Sequence, residues 1–271
     1  MVRAKSLQTG AVEALSCADL ERKVGLTLSL NQAWRARQLS LRAGGRVNLP
    51  QRPGRPQRPE LVAPNKLAKR GIGSLQGRIS LVHALCHIEL NAIDLALDIV
   101  ARFATVPVPR SFFDGWMMVA AEEAKHFSLL RARLQSLGAD YGDLPAHDGL
   151  WQASQETGHD LAARLALVPL VLEARGLDVT PSLCDALENT GDSQTAAILR
   201  IIYEDEKGHV AVGAKWFRFL CRQQGIDPSA SFQALVRKHF RAPLRPPFND
   251  RARAASGLTP GFYRSLSSLG N

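Results

Sequence analysis

Two pairs of side chains in this sequence have the spacing that a metal site on a helix requires. Glu123 and His126 form one Glu-x-x-His pair, and Glu206 and His209 form another. Residues three apart lie on the same face of a helix, so each pair presents a carboxylate and an imidazole to one ion. A single pair of this kind often arises as a solvated surface pair, whereas two in matching order indicate a metal site.

Two further glutamates stand alone in apolar stretches of the chain. Glu89 lies within residues 81–97 and Glu173 within residues 165–175. The chain order is therefore Glu, Glu-x-x-His, Glu, Glu-x-x-His. The first glutamate precedes its pair by 34 residues and the second by 33, with 50 residues between Glu123 and Glu173. This pattern predicts two helical hairpins of similar length joined by a longer crossover.

Burial of these carboxylates would require cations. Four ionised carboxylates in the core of a helical bundle would cost many kcal/mol if they were unpaired, and two divalent ions neutralise them. Mixed carboxylate and imidazole ligands suit iron or manganese better than calcium, which prefers oxygen ligands alone. We therefore expect two iron ions, with manganese or a mixed pair as the alternative, and a solvated helix face as the competing interpretation.

Other polar side chains near these positions are expected to contact the metal ligands without binding the ions themselves. For two of them, His83 and His87, a buried structural histidine is the alternative to a metal ligand, because neither shares the helix face of Glu89. For Arg175 and Asp178, three apart, the alternative is structural anchoring. The residues predicted to contact the ligands in this way are His83, His87, Arg175, Asp178 and Asp205.

The elements that must position these residues are long helices. Helical periodicity with few internal breakers predicts helices over about 74–103, 111–137, 151–177 and 193–224, with Gly225 ending the last. We expect a bend at Pro169, and Thr180-Pro181 reads as the start of a short extra segment. A final helix is predicted over about 228–240. With no strand pattern, the fold class is all-α, a four-helix bundle with a long crossover.

Basic residues are concentrated before the predicted bundle. Residues 1–80 hold 15 Lys/Arg against 4 Asp/Glu, whereas the remainder is slightly acidic. Residues 44–58 form a Pro/Arg-rich stretch that we expect to be extended. Such an arm suits nucleic acid, an acidic membrane surface or the protein's own acidic surface, and we favour the last. The predicted organisation is a basic extension (1–72), the bundle (73–225), and a C-terminal helix and tail (226–271).

Targeting and redox signals in the sequence are few. No apolar run reaches the roughly 20 residues of a membrane-spanning helix, and no secretory signal is recognised near the first residues. Four scattered cysteines without a CxxC pair argue against a disulfide framework or a zinc knuckle. We expect a cytoplasmic protein, and the sequence does not indicate its oligomeric state.

The segments that carry these motifs resemble the ferritin-like superfamily, and more closely the ferritin-like family catalogued as domain of unknown function 455. The resemblance covers roughly residues 50–260 and rests on HALCHIELNAIDLALD (83–98), EEAKHF (122–127), YGDLPAHDGLW (141–151), VLEARGLDVTP (171–181), YEDEKGHVAVGAKWF (203–217) and LRPPFNDRARAASGL (244–258). It implies a ferritin-like four-helix fold and a di-iron site but no known reaction. The implied ligands are Glu89, Glu123, His126, Glu173, Glu206 and His209.

Four functions are consistent with such a site. The first is an oxidase or hydroxylase that uses O2 on an unidentified small-molecule or RNA substrate. The second is a ferroxidase that handles iron without an organic substrate. The third is a tRNA-modifying hydroxylase that uses the basic arm, which rests on analogy and charge alone. The fourth is a metal-stabilised scaffold without catalysis.

Overall fold

A computed structural model describes residues 6–67, 71–240 and 242–267. In this part of the chain all regular elements are helical, and the only bridges are isolated backbone pairs, which confirms the all-α class. Within the same residues no helix is both long and apolar enough to cross a membrane. The ends of the predicted extension and tail, residues 1–5 and 268–271, lie outside the described residues. The chain divides into an N-terminal unit, Met1–Trp151, and a C-terminal unit, Gln152–Asn271.

Four helices and a long segment with little regular secondary structure make up most of the N-terminal unit. The helices are α1 (Leu7–Leu15), α2 (Leu20–Arg35), α3 (Leu75–Arg102) and α4 (Arg110–Ser136). A single 3-10 turn, Pro64–Lys66, and the first residues of α5 (Gly149–Glu156) complete the unit.

The α3–α4 hairpin is the framework of the N-terminal unit. Ser74 caps α3 by accepting a hydrogen bond from the backbone N–H of Gly77, and α4 begins directly after Pro109. Every residue of α3 from Glu89 to Ala101 is buried, and both α1 and α4 pack on this helix. A helix buried all round this way holds its polar side chains in fixed positions.

The Pro/Arg-rich arm, residues 44–58, contacts other parts of the N-terminal unit. The Arg55 guanidinium donates to Asn91 Oδ1 on α3 at 2.5 Å and lies 3.4 Å from Asp94 Oδ2. Arg52 donates to Asp148 at 2.5 Å, and Gly54 N–H donates to the Leu15 carbonyl at 2.8 Å. The arm therefore contacts acidic groups of its own chain, as the favoured interpretation of its charge predicts.

The C-terminal unit contains the rest of α5 and the elements that follow it. These are α6 (Leu161–Leu167), a π-helical turn (Val168–Glu173), α7 (Ala174–Asn189), α8 (Ser193–Gln224), α9 (Pro228–His239), α10 (Asp250–Ala255), α11 (Pro260–Tyr263) and a closing 3-10 turn (Arg264–Leu266). Asp192 caps α8 by accepting from the Thr195 N–H, and Gly225 ends it with a φ of 68°. A left-handed residue at this place favours glycine, so the predicted stop is confirmed.

The third predicted helix, over about 151–177, is wrong in its bounds. The chain is interrupted between α5 and α6, becomes a π-helix at Pro169, and then continues as α7 to Asn189. Pro181 lies inside α7 and does not open a new segment. Leu177 and Cys184, seven residues apart across the proline, are both buried on one helix face. Packing of that face offsets the hydrogen bond that Pro181 cannot donate.

Candidate metal centre

The N-terminal unit gathers three of the predicted ligands in its interior. Glu123 and His126 are fully buried and Glu89 is 4% exposed. His126 Nδ1 lies 3.2 Å from Glu123 Oε2 and 3.3 Å from Glu89 Oε2. One ligand atom from each of the three side chains lies within 4.8 Å of the others. We refer to Glu89, Glu123 and His126 as the N-terminal half-site.

The local sequence explains why these three side chains meet. Glu123 and His126 are three residues apart on α4, between the buried residues Ala120 and Leu130 on the same helix face. Glu89 follows Cys86 by three residues on the buried face of α3. The pairing of α3 with α4 turns both faces inward, so two carboxylates and an imidazole share one apolar interior.

Burial and mutual repulsion shift the pKa values in the N-terminal half-site. Burial, followed by the charge of Glu123, raises the pKa of Glu89 well above its ordinary value. For His126, burial alone would lower the pKa, but hydrogen bonds to Glu123 and Glu89 and their charges raise it to about 10. Both shifts favour the protonated forms of Glu89 and His126, which reduces the net negative charge buried in the half-site. A divalent cation would take over this role, since it displaces protons from its ligands.

The C-terminal unit holds the second Glu-x-x-His pair on α8. His209 is fully buried and Glu206 is 9% exposed, with His209 Nδ1 3.6 Å from Glu206 Oε1. Glu173 is the half-buried last residue of the π-helical turn. Among the described residues, neither Glu173 nor His209 belongs to a group of three or more acidic, His or Cys side chains with ligand atoms within 4.8 Å of each other.

The two histidines of α3 bind the loop after α4. His83 Nε2 accepts from the backbone N–H of Gly142 at 3.1 Å and of Leu144 at 3.4 Å. The two nitrogens of His87 lie 2.8 Å from the Tyr141 hydroxyl and 2.9 Å from the His147 carbonyl. Burial lowers the pKa of His83, and that of His87 to about 4, so both are neutral rings that tie this loop to α3.

The remaining predicted supporting residues lie in the C-terminal unit. Asp178 accepts a bidentate pair of hydrogen bonds from Arg253, at 2.7 and 2.6 Å, and a third from the Asn249 N–H. Arg175 donates to the carbonyls of Arg245 and Pro247 at 2.7 and 3.1 Å. These two side chains hold the segment before α10 in place. Asp205 is half-buried on α8.

A buried charge cluster on α3 was not predicted from the sequence. Asp94 is fully buried and accepts a hydrogen bond from the Lys23 ammonium of α2, which is 1% exposed, while Arg55 lies on its other side. The signal that could have found it is an aspartate five residues after Glu89 in an apolar helix. An apolar helix with repeated acidic residues requires buried cationic partners.

The donor set of the N-terminal half-site fits iron or manganese. Two carboxylates and one imidazole are ligands that these ions accept, and thiolate donors that would favour zinc or copper are absent from the set. Cys86 lies on the same face of α3, but burial and the charge of Glu89 raise the pKa of its thiol. A protonated thiol is a poor ligand, so Cys86 is a small buried side chain.

Comparison with known proteins identifies a family but no activity. A family profile described as "Protein of unknown function (DUF455)" matches residues 16–264. The chain is 41% identical over 209 residues to an "Uncharacterized protein" of Haemophilus influenzae, an alignment that covers 75% of this chain and 73% of the relative. No solved structure matches this chain.

Proposed function

Since the chain belongs to the DUF455 family, whose description names no activity, we propose from its own residues that it is a di-iron carboxylate oxidase or hydroxylase. The observation that carries this proposal is the buried N-terminal half-site, two carboxylates and an imidazole in an apolar interior. Natural proteins rarely bury such a group without a cation. Manganese or a mixed iron–manganese pair fits the same donors.

The proposed site has six ligands in a ferritin-like four-helix bundle. The N-terminal half-site would supply three, and Glu206, His209 and Glu173 would supply the others. The near-equal spacings of 34 and 33 residues support this pairing, as does the burial of the carboxylate and imidazole on α8. Two divalent ions would then neutralise four carboxylates, which is the charge balance that a buried site requires.

The chain's residues have defined tasks in such a reaction. Bound iron supplies one-electron chemistry toward dioxygen. Glu89 and Glu123 would supply negative charge to bound ions, and His126, whose Nδ1 faces both carboxylates, would complete that side. The complete burial of Glu123 and His126 excludes water from that side, which protects reactive species from hydrolysis.

The test is oxygen chemistry after loading with iron(II). Anaerobically loaded protein should consume O2 on exposure to air and develop a ferric absorbance. Glu123→Ala should abolish both responses, while the matched control Glu122→Ala, one residue away and half-buried, should retain them. Turnover sustained by iron(II) alone would instead assign a ferroxidase, and metal binding without O2 consumption would assign a scaffold.

The structure weighs against a role for the arm in tRNA binding. Two of its arginines, Arg52 and Arg55, face Asp148 and Asp94 of the same unit. Arginines engaged in such ion pairs cannot also neutralise phosphates without breaking those pairs. Binding to tRNA that weakens steeply with salt would revive this alternative. A cytoplasmic location remains part of the proposal.

A further inference from the structure

A cavity of about 350 Å3 opens in the N-terminal unit beside α3. Its walls come from three segments: one face of α3 (His83, Ala84, His87 and Ile88), the loop before α5, and the 3-10 turn that contains Lys66. None of the predicted metal ligands lines it. Its size lies within the roughly 300–1,000 Å3 range of small-molecule sites.

The hydrogen-bond partners of two lining histidines fix where their protons lie. His83 Nε2 accepts from two backbone N–H groups, so in the neutral ring the proton is on Nδ1. His147 Nδ1 accepts from the Gly149 N–H at 3.1 Å, so its proton is on Nε2. Neither of these N–H groups has a hydrogen-bond partner among the described residues. The lining of the cavity thus includes two histidines that each keep one unpaired N–H group.

The third lining histidine has no donor or acceptor to spare. The carbonyl of His147 can only accept, so His87 Nε2 donates to it and His87 Nδ1 accepts from the Tyr141 hydroxyl. His87 thus holds the cavity wall in place, and the ligand contacts fall to other groups.

Charge and apolar surface define what the cavity accepts. Lys66 is exposed and makes no ion pair with any described residue, and no acidic residue lines the cavity. Apolar walls come from Leu144, Pro145 and Ala146 of the loop and from Ile88 of α3, which is 43% exposed. One cation, two N–H donors and an apolar wall match one anionic group on an apolar body.

We propose that this cavity binds a small monocarboxylate, with the carboxylate at Lys66 and the histidine N–H donors and the apolar body against the loop. A phosphate dianion would leave one charge uncompensated, and an amine would meet a lysine in a lining that contains no carboxylate. The proposal does not rest on the metal site, because none of these groups is a predicted ligand.

The test compares three isosteric probes by titration calorimetry on the full-length protein. 3-Phenylpropionate should bind saturably and at least about fivefold more tightly than 3-phenylpropionamide, since hydrogen bonds to a charged group are the stronger ones. 3-Phenylpropylamine should show no binding. No saturable binding of the acid, or equal affinity for acid and amide, would overturn the proposal.

Two variants locate the binding in this cavity. Ala84→Trp, a substitution at an exposed position of α3, should fill the opening and abolish binding. Lys66→Gln should weaken it about three- to tenfold, the range for loss of one charged contact near the surface. Lys238→Gln on α9 is the matched lysine control and should leave affinity unchanged. Circular dichroism confirms folding of each variant, and a folded Ala84→Trp protein that still binds the acid would refute the assignment.

Discussion

The buried cluster of Lys23, Asp94 and Arg55 supports a quantitative prediction about stability. Replacing Asp94 with asparagine keeps the shape of the side chain and removes its charge. Lys23 would then remain as a cation that is 1% exposed, facing an amide in place of a carboxylate. We expect Asp94→Asn to destabilise the N-terminal unit strongly.

The magnitude follows from the burial of the two partners. Removing one member of a buried ion pair leaves an uncompensated charge and costs about 3–5 kcal/mol. Lys23→Met should cost less, about 1.5–3 kcal/mol, because Asp94 keeps Arg55 at 3.4 Å. The double variant Lys23→Met/Asp94→Asn should be more stable than Asp94→Asn alone, since it removes the stranded ammonium.

Urea unfolding followed by tryptophan fluorescence measures this effect in the correct unit. Three of the four tryptophans, Trp34, Trp116 and Trp151, lie in the N-terminal unit, so a Trp216→Phe background confines the fluorescent side chains to that unit. The matched control is Asp114→Asn, whose exposed pair with Arg37 at 3.3 Å should contribute less than about 1 kcal/mol.

Two results would contradict this prediction. If Asp94→Asn lost no more free energy of unfolding than Asp114→Asn, the buried cluster would not stabilise the unit. A double variant no more stable than Asp94→Asn would show that the stranded charge is not the cause.

Three further predictions concern single side chains. Gly213→Ala should destabilise the C-terminal unit by about 1–3 kcal/mol in urea, because a Cβ there would lie 2.6 Å from the Pro169 ring. Arg253→Lys should cost about 1.5–3 kcal/mol, since a lysine cannot reproduce the bidentate contact with Asp178. Asp140→Asn should cost about 0.2–1 kcal/mol at pH 7, because hydrogen bonds from its arginine partner on α4 lower the pKa of this half-exposed carboxyl to about 2. A carboxyl whose pKa is lower in the folded state stabilises the fold at pH values above its unfolded-state pKa, which is near 4. The difference in stability between Asp140→Asn and the parent protein should therefore vanish as the pH falls from about 4 to about 2.

Each of these has its own control or contrary outcome. Gly176→Ala, with no atom within 4 Å of its added Cβ, should be neutral or stabilising by up to about 1 kcal/mol, and equal losses at Gly176 and Gly213 would exclude the steric cause. If Arg253→Lys left the free energy of unfolding unchanged, the bidentate geometry would contribute nothing to stability. A cost of Asp140→Asn that grows toward pH 2 would contradict the sign derived for that carboxyl.

Periodicity and caps predicted the long helices well, because their signals are local. α3, α4 and α8 begin and end within a residue or two of the expected positions, at Ser74, Pro109 and Gly225 among others. The helix bounds predicted between Trp151 and Asn189 were wrong because the structure of this region depends on packing. A buried stripe carries α7 through Pro181, and tertiary packing here overrides a local stop signal.

The sequence predicted the geometry of the site only where the spacing of two residues on one helix determines it. The i, i+3 spacing correctly places Glu123 beside His126, while the six-ligand set remains a prediction. In the Lys23–Asp94–Arg55 cluster the apolar surroundings of Asp94 indicate that it needs a cationic partner, but Lys23 lies 71 positions away, so no local pattern identifies that partner. The roles of His83 and His87 likewise depend on a loop more than 50 residues away.

Metal stoichiometry by mass spectrometry, on full-length protein purified after growth with iron, tests the central claim most directly. We predict close to two iron or manganese ions per chain. Glu123→Ala and Glu206→Ala should each lose metal, and Glu122→Ala should keep it. A folded parent protein without bound metal, or Glu123→Ala and Glu206→Ala variants with undiminished metal content, would contradict the account.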